Sequence, residues 1–334
     1  MDDAGTAMTL EEAARSATSA VIVGNGGGGD CLVTVLVASW LRSMGVDRAL
    51  VGGIGCQWWP EPGQEREELV EVLGPDFYDP MELHGARAVG DHAALVGPDA
   101  HSHGRRPHEA VLAEWAGGEA FVLSHLGGAM GTAAGLAALA EHAEADLVIA
   151  VDVGSDCLST GREVRPAMTV LADHLTFAGL LGQRVRSYFC LAGFGVDAEM
   201  EIEELTENFA AVVRAGGLRG AFAPSSLALE ELEALQAKAF DPVGNLVVKA
   251  ARGEFGLQRV LTGGPWGQVA RLGPASIPIW ALDPWVVLET VATDVRSIRS
   301  TTSLGEAERI YRELGRFPES GIARVVDFRR IPPA

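Results

Sequence analysis

The fold is decided by residues 21–30, VIVGNGGGGD, in which an apolar run enters five glycines and then an aspartate. β-Branched residues that reach glycine without polar alternation predict a buried strand ending in a tight loop. The next segment, CLVTVLVASWLRSMG (31–45), predicts a helix that ends at Gly45, and DRALVGGI (47–54) predicts a second strand. This order predicts a βαβ unit whose glycine loop lies at the carboxyl edge of a parallel sheet.

The same alternation recurs further along the chain. EAFVLSHLGGAMG (119–131) predicts a strand entering a second glycine loop, TAAGLAALAEHAE (132–144) a helix, and ADLVIAVDVGSD (145–156) a strand ending in a third loop. We therefore expect residues 1–198 to form a Rossmann-like, doubly wound, mainly parallel α/β core.

Two other regions differ in composition from this core. Residues 56–108 are rich in Pro, Gly, His and Arg, and we expect them to form an insertion that covers the sheet edge. Residues 199–334 show mainly helical periods, with a strand predicted at SIPIWALD (276–283). They predict a mainly helical extension or subdomain packed on the sheet.

Charge and composition exclude several classes of function. The chain has 334 residues and a formal net charge of −19, and it has no basic run longer than Arg105-Arg106. That balance argues against nucleic acid as a partner. The amino terminus lacks the basic and apolar parts of a signal peptide, and no apolar stretch is long enough to cross a membrane. We expect a cytoplasmic protein whose four scattered cysteines are free thiols.

The first glycine loop resembles a dinucleotide-binding motif in part. Gly24, Gly26 and Gly29 match G-x-G-x-x-G after a strand and before a helix, but the acidic residue expected about 20 positions later is absent. NAD or NADP is therefore the less favoured cofactor. The candidate ligand-binding residues of this loop are Gly24, Asn25, Gly26, Gly27, Gly28 and Gly29.

Asp30, which follows this loop, leaves three alternatives open. In the first, the Asp30 side chain turns away and the glycine amides hold an anion. In the second, it faces the ligand and binds a hydroxyl, an amine or a metal. In the third, it only caps the helix.

The third loop, VDVGSDCLSTGREVRP (151–166), carries Asp152, Asp156 and Glu163. Carboxylates at the end of a buried strand are suited to Mg²⁺ or to general acid and base catalysis. We predict all three as catalytic residues, together with Asp30, and a cation site at Asp152 and Asp156. An Asx turn followed by a helix cap is the alternative interpretation.

Further candidates lie at neighbouring loops. His125 is a candidate acid or base at the end of a predicted strand. The remaining candidate ligand-binding residues are small residues at strand ends and two residues of the insertion: Gly127, Gly128, Gly154, Ser155, Trp58 and Arg66.

Five segments follow one another in the chain: GNGGGGD, WWPEPGQERE, GGAMG, VDVGSDCLSTGRE and AMTVLADHLTFAGL. Together, in this order, they resemble the family catalogued as domain of unknown function 1152. The resemblance spans most of the chain and is strongest at VDVGSD. It supports the α/β fold and the choice of loops, and it implies no particular activity.

Together these features predict an enzyme that acts on a small polar metabolite, nucleotide-like or phosphorylated, by hydrolysis, group transfer or lyase chemistry. The alternatives are an NAD(P)-dependent oxidoreductase and a metabolite-binding protein without activity. The apolar, tryptophan-rich segments also predict a homo-oligomer, with a homodimer as the simplest form.

Overall fold

The computed structural model describes residues 8–60, 72–101, 105–164, 167–239, 241–260 and 269–319. The strands of these residues are β1 (Ser19–Gly24), β2 (Arg48–Ile54), β3 (Cys56–Pro60), β4 (Val72–Phe77), β5 (Arg87–Ala88), β6 (Ala93–Val96), β7 (Ala120–Leu123), β8 (Leu147–Val153), β9 (Arg186–Ala192), β10 (Leu218–Phe222), β11 (Gly256–Arg259), β12 (Val269–Leu272) and β13 (Ile279–Leu282). Nine of them form one sheet in the order β10-β13-β9-β8-β1-β2-β7-β6-β5.

The five central strands, β9-β8-β1-β2-β7, pair in parallel, and the strands at both edges pair antiparallel. The prediction of an α/β fold with a mainly parallel sheet is confirmed. From β1 the chain first builds outward through β2 and β7, and then returns to the other side of β1 to add β8 and β9. The loops after β1 and β8 therefore leave the sheet side by side at the carboxyl ends of the strands, which is where ligands bind in open α/β sheets in general.

Helices cover both faces of this sheet. Those of the described residues are α1 (Leu10–Ser16), α2 (Asp30–Met44), α3 (His108–Trp115), α4 (Gly128–His142), α5 (Leu171–Leu181), α6 (Ile202–Arg214), α7 (Ser226–Gln236), α8 (Pro242–Ala251), α9 (Pro284–Thr290), α10 (Val295–Ile298) and α11 (Leu304–Glu313). Within the ranges given above, no helix combines the length and the apolar character that a membrane crossing requires.

Side chains of the central strands alternate between two hydrophobic cores. In β1, Ala20 and Ile22 belong to the core beneath α2, whereas Val21 and Val23 belong to the core beneath α4 and α5. Because both faces are covered, these strands are apolar along their length rather than alternately polar. This explains why the sequence VIVG predicts a buried strand.

The carboxyl-terminal part does more than pack on the sheet. Its helical segments form as predicted, but β10 and β13 extend the sheet itself beyond β9. The predicted strand in SIPIWALD is confirmed as β13, which pairs antiparallel with β9 and buries Ile279, Ala281 and Leu282. The described residues from 199 onward therefore form helices and also extend the sheet.

The described residues of the predicted insertion, 56–108, contain strands. Part of residues 56–108 forms the β3-β4 hairpin, while β5 and β6 complete the opposite edge of the large sheet. These edge strands are two and four residues long, so they show no periodicity that the sequence could reveal.

Helix α3 carries a buried acid, Glu109, which is 1% exposed. Its Oε2 accepts a hydrogen bond from Gln57 Nε2 at 3.0 Å, and its Oε1 has no hydrogen-bond partner among the described residues. Burial raises the pKa of Glu109 to about 8. Because the unfolded chain ionises this group near 4.5, the folded state loses stability as the pH rises from there through 8.

The Glu109→Gln variant should therefore be more stable than the wild type, by an amount that grows with pH and reaches on the order of 3 kcal/mol at pH 7. Thermal unfolding between pH 5 and 9 measures this difference. Glu114→Gln in the same helix is the matched control, because Glu114 pairs with Arg106 and Lys238, which lower its pKa. An equal gain from Glu109→Gln at pH 5 and pH 9 would contradict the prediction.

Candidate functional site

Three aspartates meet at the carboxyl edge of the sheet. Asp30 is the first residue of α2, Asp152 lies near the end of β8, and Asp173 lies in the first turn of α5. One carboxylate oxygen from each residue lies within 4.8 Å of those of the other two. We call these three residues the aspartate cluster.

The chain brings them together through strand alternation and crossover topology. In β8, Val148 and Ala150 face the core that α5 covers, so Asp152, two residues further, faces the same side. Asp30 arrives from β1, the neighbour of β8, because α2 begins immediately after the glycine loop. The cluster therefore lies between the loops that leave β1 and β8.

The cluster is buried, and one member has no hydrogen-bond partner. Asp30, Asp152 and Asp173 are 9%, 0% and 4% exposed. Asp30 Oδ2 accepts from the Gly26 amide at 2.8 Å, and Asp173 Oδ1 accepts from Asn25 Nδ2 at 3.1 Å. Neither oxygen of Asp152 meets a donor at hydrogen-bonding geometry within the described part of the chain. A buried carboxylate without a partner is strongly unfavourable.

Burial raises the pKa values of all three carboxyl groups, and it is the largest cause for each. The neighbouring carboxylates add to the shift for Asp30 and Asp173. The amides of Ser155 and Cys157 lower the pKa of Asp152, but by less than burial raises it. Such a group of carboxylates must take up protons or bind a cation to lower its energy.

Carboxylates lie close to the backbone of the glycine loop. A Cβ atom at Gly26 would lie 2.7 Å from Asp173 Oδ1, and one at Gly29 would lie 2.0 Å from Asp241 Oδ1. The carboxylates therefore occupy the space beside the loop backbone. Among the alternatives for Asp30, the structure shows its carboxylate turned back onto the loop and facing the other aspartates.

This arrangement weighs against a pyrophosphate at the loop. The Gly26 amide already donates to Asp30, and an anion at this point would meet negative charge. Gly24 and Gly27 pack against Cys31 and Cys56 instead of leaving space beside the backbone.

Trp58 lies half-buried next to Gly28, at 3.4 Å between Trp58 Cδ1 and a Cβ atom placed on Gly28. Trp58, a predicted ligand-binding residue, is therefore next to the glycine loop. Arg66, the other residue predicted in this region, lies outside the described residues.

Asp156 borders the aspartate cluster without being one of its closest members. It begins a 3₁₀ turn, Asp156–Leu158, and is 7% exposed. Burial raises its pKa, and the charges of Asp173 and Asp152 raise it further. The closest group joins Asp152 to Asp30 and Asp173, and the cation site at Asp152 and Asp156 stays a prediction. Asp173 belongs to this group because α5 packs over β8 and brings its first turn to the strand end.

The turn that presents Asp156 is conformationally restricted. Gly154 has φ +112° and Ser155 has φ +91°, a left-handed conformation that favours glycine over serine. Ser155 Oγ is buried and has no hydrogen-bond partner among the described residues. Both residues follow Asp152 by two and three positions, and their role in ligand binding stays a prediction.

Glu163 is used to hold its own loop together. Its carboxylate accepts from Ser159 Oγ at 3.0 Å, from both the amide and the hydroxyl of Thr160, and from Asn208 Nδ2 at 3.0 Å. These hydrogen bonds outweigh burial and lower its pKa. They connect Glu163 to the loop and to α6 rather than to the aspartate cluster.

His125 and its neighbouring glycines are also placed in packing environments. His125 is 1% exposed, its Nε2 lies 3.0 Å from Thr176 Oγ1, and burial lowers its pKa to about 3. It is therefore neutral at ordinary pH. Cβ atoms at Gly127 and Gly128 would lie within 3 Å of His92 and of the Thr301 backbone, respectively. Close packing thus accounts for these two glycines.

Asp173 was missed by the sequence predictions. It lies in LADHLTFAGLL, a helix in which every residue is buried. A carboxylate in an otherwise largely apolar helix is the signal that could have identified it, because acids are rarely buried without a role.

The sequence model of one family, described as "Protein of unknown function (DUF1152)", matches residues 21–324. The chain belongs to this family. Comparison with curated proteins and with solved structures gave no match. The resemblance inferred from the glycine and aspartate loops is confirmed, and the whole aspartate cluster lies within the matched residues.

Replacing Gly26 with alanine should destabilise the protein by about 1–3 kcal/mol, because the new methyl group meets the carboxylates of Asp173 and Asp30. Chemical denaturation measures the free energy of unfolding. Gly305→Ala is the control, since nothing lies within 4 Å of a Cβ atom there and alanine favours its helix. If both variants unfold like the wild type, the carboxylates do not pack on the loop.

Proposed function

We propose that this protein is a divalent-cation-dependent enzyme that acts on a small polar metabolite at the crevice between β1 and β8. The observation that carries the proposal is Asp152, which is fully buried, has no donor for either oxygen among the described residues, and adjoins two further carboxylates. A bound cation would reduce the repulsion among these carboxylates, and the same carboxylates would be its ligands.

The chemistry of the ligand set favours a hard cation. The three ligands are carboxylate oxygens, which suit Mg²⁺, Mn²⁺ and Ca²⁺ better than softer metals. The spacing of 4.8 Å or less allows three oxygens to surround one ion. Mg²⁺ is the cofactor that we favour, and Mn²⁺ is its practical probe. An amine of the substrate is the competing cationic occupant.

The neighbouring residues have distinct roles in this proposal. Asn25 positions Asp173 through its amide nitrogen, and its Oδ1, buried and without a partner in the described chain, is available to a substrate donor. Asp156 lies at the border of the cluster, where it can exchange a proton with the substrate or with cation-bound water. The cation would polarise a substrate oxygen or lower the pKa of water. Hydrolysis, group transfer and lyase chemistry all begin in this way.

The strand order supports the placement of the site. The order of the five central strands, β7-β2-β1-β8-β9, reverses direction at β1, and ligands of open α/β sheets bind at such a reversal. The same observation favours an NAD(P)-dependent oxidoreductase as the second candidate, although the carboxylates beside Gly26 and Gly29 weigh against it. A cytoplasmic location and a homo-oligomeric state stay predictions from the sequence.

Substitution of Asp152 by asparagine should raise stability without metal by about 2 kcal/mol, because it removes a buried charge. The same change should abolish stabilisation by Mn²⁺ or Mg²⁺, which in the wild type reaches about 2.7 kcal/mol at a hundredfold excess over the Kd. Thermal unfolding of metal-free protein, with and without added cation, measures both effects.

Asp146→Asn is the matched control at the opposite end of β8. Asp146 accepts hydrogen bonds from the amides of Thr18 and Ser19, so its loss should lower stability and leave the cation response intact. A wild type that gains no stability from either cation would overturn the proposal. Stabilisation by NAD or NADP alone would favour the oxidoreductase.

Measuring substrate turnover distinguishes an enzyme from a metabolite-binding protein. Wild-type protein, supplied with Mg²⁺ and a panel of phosphate esters, nucleotides and amino acids, should consume at least one compound, and Asp152→Asn should not. Cation binding together with tight retention of an unchanged metabolite would indicate a metabolite-binding protein instead.

A further inference from the structure

The first turn of α5, which carries Asp173, is capped by a carboxylate from the carboxyl-terminal part of the chain. Val170, the N-cap residue of α5, makes no side-chain hydrogen bond to the helix. Instead, the amides of Leu171 and Ala172 each donate to one carboxylate oxygen of Glu319 at 2.9 Å. Glu319 is 1% exposed, so this contact lies inside the protein. It satisfies two amides that no helical carbonyl can reach.

The residue after Asp173 is held by the same part of the chain. His174 is fully buried, and its Nδ1 is hydrogen-bonded to the hydroxyl of Tyr311 in α11. Its Nε2 lies 3.3 Å from the carbonyl oxygen of Cys157. Because a carbonyl oxygen only accepts, Nε2 carries a hydrogen, and the imidazole joins α11 to the turn that follows β8.

Arg316 attaches this part of the chain to the loop after β8. Its Nη1 donates to Ser159 Oγ at 3.2 Å, and its Nε lies 3.5 Å from Asp294 Oδ2. Its side chain is 4% exposed, so these contacts are also internal. We call residues 311–319 the clamp segment. It binds both the loop after β8 and the first turn of α5.

The two places that the clamp segment joins are those from which two cluster members arrive. Asp152 directly precedes the loop after β8, and Asp173 lies in the first turn of α5. No hydrogen bond joins the two carboxylates, and their charges repel each other. Contacts elsewhere must therefore hold them together. We propose that the clamp segment positions Asp173 against Asp152 through Glu319 and Tyr311, and thereby completes the cation site.

This inference rests on the proposed cation-dependent function and adds a means of controlling it. Neither Glu319 nor Tyr311 belongs to the aspartate cluster, so both act as positioning residues and not as ligands. A cation and the docked clamp segment then favour the same arrangement of α5. By thermodynamic linkage, loss of the clamp contacts weakens the cation by the same factor by which the cation stabilises those contacts.

The test compares Mn²⁺ affinity with stability in the full chain. Glu319→Gln keeps the length of the side chain and removes one of its two acceptor oxygens, and Tyr311→Phe removes only the hydroxyl. Each variant should bind Mn²⁺ about tenfold more weakly than the wild type or worse. Electron paramagnetic resonance of free Mn²⁺ after chelator treatment measures the affinity, and thermal unfolding of metal-free protein measures stability.

Asp283→Asn is the matched control. Asp283 accepts hydrogen bonds from the amides of Trp285 and Val286 at the start of α9, which carries no member of the aspartate cluster. Its replacement should lower stability and leave the Mn²⁺ affinity unchanged.

Hydrogen–deuterium exchange supplies a second measurement, which a purely structural contact would leave unchanged. Mg²⁺ should slow exchange at the amides of Leu171 and Ala172 in the wild type, because the cation stabilises the docked clamp segment. The same addition should have no effect on these amides in Asp152→Asn.

The outcomes separate this inference from the function on which it rests. A wild type that binds no Mn²⁺ would overturn both. Wild-type Mn²⁺ affinity in Glu319→Gln and Tyr311→Phe would overturn the positioning role and leave the proposed function standing. An equal loss of affinity in Asp283→Asn would also overturn it, because loss of stability alone would then weaken the cation. If Glu319→Gln does not fold, the affinity of Tyr311→Phe decides the question.

Discussion

Repulsion among buried carboxylates is the constraint on which the rest of the site depends. Asp30, Asp152 and Asp173 are brought together where water cannot screen their charges. Two of them lie in the first turns of α2 and α5, so the positive ends of two helix dipoles offset part of the repulsion. Asp152 comes from a strand, and the amides of Ser155 and Cys157 offset only part of the effect of its burial. The geometry therefore concentrates the unfavourable energy on one side chain.

The glycine loop follows from the same constraint. A glycine-rich turn between a strand and a helix leaves room for another group to approach the backbone. That group can be a ligand, or it can be a carboxylate of the protein itself. At Gly26 and Gly29 the closest atoms are carboxylate oxygens of this chain. The glycine pattern is the same whether a ligand or a carboxylate lies there, because the pattern indicates only that a Cβ atom would not fit. Which atoms fill the space depends on residues more than 140 positions away, such as Asp173.

Local signals predicted the elements that consist of local interactions. The apolar runs of β1, β8 and β13 form strands. The loops containing Asp30 and Asp152 were also identified, because each follows an apolar run. Asp173 could not be assigned in this way, since its role arises only when α5 packs over β8. Short edge strands such as β5 were missed because two residues show no period.

The unfavourable free energy of burying the aspartate cluster makes the stability of the fold depend on ligand binding. A protein of this kind is stable by only about 5–15 kcal/mol, so several kcal/mol of unrelieved charge at Asp152 is a large share of the total. An ion that binds only the folded state adds stability that grows with the logarithm of its concentration. In the proposed function the same ion activates the substrate. The fold would then be most stable in the form that is ready to react, and removal of the ion would weaken the centre of the sheet, where β1 and β8 pair.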